Sequence, residues 1–178
     1  MSEVVTRKLE QFENFGFKWI AAGTGGFHHW VTDSRNNQQP EFMTCGLCCF
    51  HLPIAAGIET GRLTKDQAGD LIIAQMQSGM SGGTPDAWVQ GGLTKKGMFS
   101  DPPNRGDIVF FSAKGNGNKY FAHVAVATGN DDEVITFGHD APYLQGGKHT
   151  LLVETKTISE VKGINRLLTD VHYGQASW

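Results

Sequence analysis

Arg105-Gly106-Asp107-Ile108-Val109-Phe110-Phe111 is followed, after a loop, by Ala122-His123-Val124-Ala125-Val126-Ala127-Thr128-Gly129 and then by Glu133-Val134-Ile135-Thr136-Phe137-Gly138. Each run is rich in β-branched, aromatic or small apolar residues and is bounded by Gly, Asn or Asp, the pattern of strands between turns. Strands are therefore expected over 107–112, 122–128 and 133–138, with Gly129-Asn130-Asp131-Asp132 turning the second into the third. Both alternating sets of side chains are largely apolar or small, so the sheet must be covered on both faces or closed on itself. Residues 150–155 and 163–168 are expected to add strands.

Upstream the period is helical. Residues 3–15 carry a loose apolar stripe. Thr44 stands at an N-cap position before the apolar run 45–57, a buried helix that Pro53 should kink or shorten. Thr64 and Gln67 form a capping box ahead of Ala68, Leu71, Ile72 and Met76, with Gly79 as the stop. Residues 16–43 and 79–104 read as loops. Helices first and an antiparallel sheet afterwards give an α+β domain, its N-terminal helices packed on the sheet. At 178 residues one domain is expected, 1–178, with 1–43 an extension packed on a core over 44–170.

The charge balance, 15 basic against 18 acidic residues, leaves no basic block, so nucleic acid is not an expected partner. No run approaches the roughly 18 apolar residues of a membrane span, and no signal-peptide pattern opens the chain. The expectation is a protein that is cytoplasmic as made, or exported without a cleaved signal. Gly, at 23 residues, is in excess and gathers in the expected loops.

The three cysteines fall together at Cys45, Cys48 and Cys49, which excludes a disulfide framework. One CxxC supplies two of the four ligands of a structural zinc, so no metal and no cofactor are expected. Cys48 and Cys49 read as packing residues. Cys45 opens the expected helix, where free N–H groups and the helix dipole lower a thiol pKa and can support an oxyanion. A thiolate nucleophile needs a base. Of the seven histidines, His123 opens an apolar strand, a rigid and accessible position.

The Gly106-Asp107-Ile108-Val109-Phe110-Phe111 strand, His123-Val124 opening the next, the Gly129-Asn130 turn and a Cys-bearing helix ahead of the sheet together resemble the NlpC-type family of papain-like cysteine peptidases, over about residues 44–140. The resemblance implies a papain-like fold and a cysteine hydrolase of amide bonds, with Cys45 as nucleophile and His123 as base. It implies the peptide part of bacterial peptidoglycan as substrate, and an antibacterial effector or lysin with an immunity protein as partner. Deamidation, acyl transfer or cleavage of a host protein use the same dyad. The family's third polar residue lies on the strand after the histidine. Thr136 is the nearest match, accepting a hydrogen bond from the imidazole Nδ1–H, with His139 and Asp140 as alternatives if the strand is displaced; strict alternation turns His139 to the opposite face from Thr136. The chain departs from the family pattern at Thr44-Cys45-Gly46, Pro53, Ala125 and Thr136. These departures motivate a second reading, a catalytically degenerate binding domain on the same fold.

Overall fold

The computed structural model describes residues 2–19, 42–43, 52–77, 93–98, 103–113, 121–140, 149–164 and 168–176. In chain order the described elements are α1 (Ser2–Glu10), β1 (Gly16–Trp19), β2 (Phe42–Met43), α2 (Leu52–Glu59), α3 (Lys65–Gln77), β3 (Leu93–Met98), β4 (Ile108–Ala113), β5 (Phe121–Ala127), β6 (Glu133–Phe137), β7 (Thr150–Thr157), α4 (Ile158–Ile164) and β8 (Leu168–Ala176). The eight described strands form one sheet in the order β2-β1-β7-β6-β5-β4-β8-β3. All described pairs are antiparallel except β1 with β2. The molecule is a mixed helix and antiparallel-sheet structure, compatible with the α+β class.

The central strands lie within a residue of where the alternation put them. Register puts Val109 opposite Ala125 and Ala125 opposite Thr136, so these residues share one face. On that face Val109, Phe111, Ala125, Ala127 and Val134 pack with Val161 of α4 and with Leu168 and Tyr173 of β8. The opposite parity, Ile108, Phe110, Val124, Val126, Ile135, Phe137 and Val153, is buried as well. There Phe17 of β1 meets Phe137 edge-on at 6.1 Å, and Phe12 lies 5.9 Å from Phe17. Both faces are covered, which is why neither parity could be polar.

The turn at 128–133 is built from its own sequence. Thr128 N–H donates to the Glu133 carbonyl at 3.0 Å, and Asn130 Nδ2 donates to the Glu133 carboxylate at 3.2 Å. Gly129 has φ +88°, and a Cβ there would stand 2.6 Å from Arg105 Cβ, so both backbone and space require glycine. Arg105 reaches over this turn. It donates to the Thr128 carbonyl at 2.8 Å and pairs with Glu3 at 2.6 Å and Glu10 at 2.9 Å, tying α1 to the sheet's end. Arg105-Gly106-Asp107 is thus a turn into a strand.

Four sequence expectations are corrected. Residues 16–19 and 42–43 are strands rather than loop: β1 adds to β7, with Phe17 filling a core position. Residues 93–98 are an edge strand paired to β8; its Thr94-Lys95-Lys96 run lacks the apolar alternation of a buried strand. The strand expected over 163–168 begins at Leu168, because Gly163 and Ile164 close α4. That helix starts at a capping box missed in the sequence: Thr157 N–H donates to Glu160 at 2.7 Å and Glu160 N–H to Thr157 Oγ1 at 3.1 Å. Finally, α2 runs past Gly57 to Glu59. The expected box at Thr64 and Gln67 is present, at 2.9 and 3.2 Å. Most of the start of the 45–57 helix, and Gly79, lie outside the described residues.

Candidate functional site

His123 is the third residue of β5, two residues before Ala125 and on the same face; it pairs across from Phe111. β5 starts one residue before the expected opening at Ala122, and the ring is not at an accessible mouth. It is buried, with 4% of its surface exposed, because Phe111 packs against it at 5.6 Å.

Thr136 stands opposite Ala125 on β6, on that same face, and is fully buried. His123 Nε2 and Thr136 Oγ1 are 2.7 Å apart. The contact runs through Nε2, whereas the expectation had Thr136 accept from Nδ1–H. Contact through Nε2 leaves Nδ1 as the nitrogen not committed to Thr136. The hydroxyl can donate or accept, so it satisfies either neutral tautomer of the ring.

His139 also lies beside His123. Alternation from Thr136 sends it to the opposite face. However, β6 ends at Phe137, and Gly138, at φ +71°, turns the chain before His139. The His139 ring thereby lies 6.4 Å from that of His123, edge to face. Thr136 and His139 are both neighbours of His123 rather than alternatives. Asp140, the other alternative, is exposed.

Glu154 was missed. It is the register partner of Thr136 on β7, and its carboxylate lies 3.7 Å from His139 Nε2 and 3.3 Å from Lys156 Nζ. The signal was available: Thr150–Thr157 alternates, with Val153 in the core and Glu154 on the opposite parity.

Burial dominates the electrostatics. Desolvation, with a smaller push from His139, holds the His123 pKa down at about 3, so the ring is neutral at pH 7. Burial also lowers the pKa of His139, against the pull of Asp140 and Glu154, with Lys156 adding to the lowering. A neutral imidazole has a lone pair that can accept a proton, and burial opposes the charged form that results. An opposite charge formed within hydrogen-bond reach would favour the imidazolium and oppose the desolvation.

Cys45, with Cys48 and Cys49, lies outside the described residues. Among the described residues, no group of three or more His, Cys, Asp or Glu is arranged to hold a metal ion. No described helix is long and apolar enough to cross a membrane.

No protein-family model matches the chain, and no curated protein matches it by sequence. Among solved structures, the chain is similar to a protein of Staphylococcus aureus subsp. aureus Mu50 described as similar to lipoprotein, NLP/P60 family. The TM-score is 0.44 at 14% identity, over 96% of this chain. This chain spans 40% of the length of that one.

Proposed function

We propose that the chain is a papain-like cysteine hydrolase that cleaves an amide bond in peptidoglycan peptide. The observation that carries the reading is the 2.7 Å pairing of His123 Nε2 with Thr136 Oγ1. His123 and Thr136, the residues that the resemblance implies as base and orienting group, are hydrogen-bond neighbours, buried and on adjacent strands.

The mechanism follows from their chemistry. Cys45 attacks the carbonyl carbon as a thiolate, its proton passing to His123, whose Nδ1 is the nitrogen not held by Thr136. Thr136 fixes the ring plane. The Cys45 backbone N–H contributes to the oxyanion hole. His123 then returns the proton to the leaving amine, and water resolves the thioester with His123 again as base. The setting is an exported antibacterial effector or lysin, with an immunity protein as its partner where the producing cell shares the substrate.

The test is digestion of purified peptidoglycan followed by mass spectrometry of the released fragments. New peptide termini, absent with Cys45→Ala and with His123→Gln, are expected. No new termini from the parent protein would overturn the cell-wall reading.

A non-catalytic binding domain is the second reading, and the 4% exposure of His123 is the observation that favours it. Its signature would be co-sedimentation with peptidoglycan that Cys45→Ala leaves unchanged, with no fragments released.

A further inference from the structure

His139 is the one buried polar side chain among the described residues with an atom left unpartnered: its Nδ1 has no hydrogen-bond partner. It is 3% exposed, and nothing in the proposed mechanism uses it. Such an atom is costly unless the residue has a task. Three features orient the ring. Gly138 turns the chain so that His139 faces His123; the two rings meet edge to face at 6.4 Å; and Glu154 Oε2 lies 3.7 Å from Nε2. That last distance is too long for a hydrogen bond and short enough for a strong charge interaction.

These features fix the neutral form. A hydrogen on Nε2 faces the carboxylate, whereas a hydrogen on Nδ1 would be a buried donor with no acceptor and would leave a lone pair facing Glu154. The resting ring therefore carries its proton on Nε2.

We propose that His139, held by Glu154, is a positioning residue for His123, coupled to it so that only one of the two rings carries a positive charge at a time. Among the described residues, the charged and titratable groups that face His139 are Asp140 beside it, Glu154 and Lys156 on β7, and His123 on β5. Among the described residues, the titratable group facing His123 is His139. Of the described carboxylates, Asp140 and Glu154 lie beside His139 and favour a proton there over one on His123. Once charged, His139 opposes the imidazolium that His123 must become, so acid switches the base off through its neighbour. At neutral pH the uncharged His139 permits proton uptake by His123. The inference rests on the reading of His123 as the base.

The experiment combines ring-15N NMR titration of the folded protein with the pH profile of kcat/KM on peptidoglycan peptide. His123 and His139 signals are assigned by their loss in His123→Leu and in His139→Phe. In Glu154→Gln, His139 should titrate at least half a unit lower than in the parent, and the acid limb of kcat/KM should move down with it. In His139→Phe, which keeps a flat ring, the His123 midpoint should rise by at least half a unit. An unmoved His139 midpoint in Glu154→Gln, or an unmoved His123 midpoint in His139→Phe, would overturn the coupling. Should His139→Phe fail to fold, Glu154→Gln alone decides, because its side chain is partly exposed and its shape is kept. The titrations read the ring pair whether or not the protein cuts peptidoglycan. Failure of the coupling is therefore distinct from failure of the hydrolase reading, which an inactive parent would show.

Discussion

At the scale of residues, the pairing of His123 with Thr136 is the interaction with most at stake. Both groups are buried, so a missing partner is not replaced by water. Thr136→Val keeps the shape and removes the hydroxyl. It should cost about 1–3 kcal/mol of stability, read from the urea midpoint, and Thr136→Ser should restore most of it. Equal midpoints for Val and Thr would mean the 2.7 Å contact carries no weight. The two strands that carry the pair were legible from their apolar patterns, while Thr136 itself was singled out by the family resemblance. The nitrogen involved was not legible, since ring orientation depends on how Phe111 and His139 pack around it. Nor was the approach of His139, because strict alternation ignores the turn at Gly138.

At the scale of elements, turns and caps set the strands and helices in place. Gly129→Ala meets both a positive φ and Arg105, and should cost about 1–3 kcal/mol in chemical denaturation. A change within 0.3 kcal/mol would show that the Arg105 segment relaxes freely. Thr157→Ala removes one half of the box that starts α4 and should cost about 0.5–2 kcal/mol. Thr64 and Gln67 were readable as a box because a periodic apolar run follows them. The same motif at Thr157-Ile158-Ser159-Glu160 was obscured by the strand pattern that runs directly into it. β1 and β3 were hidden for another reason. Short edge or near-edge strands owe their existence to a partner strand far away in sequence, not to local alternation.

At the scale of the molecule, the buried histidine makes folding sensitive to acid. The His123 pKa is about 3 folded against about 6.5 unfolded, so between these values the unfolded chain binds the extra proton. Stability should therefore be highest above about pH 6.5 and fall progressively as pH drops toward 3. Glu3, whose pKa Arg105 and Arg7 lower, and Glu160, lowered by the Thr157 backbone, lose their contributions as pH falls through the carboxylate range. Urea midpoints between pH 7 and pH 5 should decline in the parent and decline less in His123→Leu. Equal slopes would contradict the burial of an uncharged ring.

The proposed function needs Cys45 as nucleophile with His123 as its base. Its most direct test is the rate at which iodoacetamide alkylates each cysteine as pH is varied, with the modified residue located by mass spectrometry. The account predicts that Cys45 reacts before Cys48 and Cys49, with a midpoint well below about 8.5 that rises toward the ordinary thiol value in His123→Gln. Faster labelling of Cys48 or Cys49, or a Cys45 midpoint near 8.5 that is indifferent to His123, would contradict it.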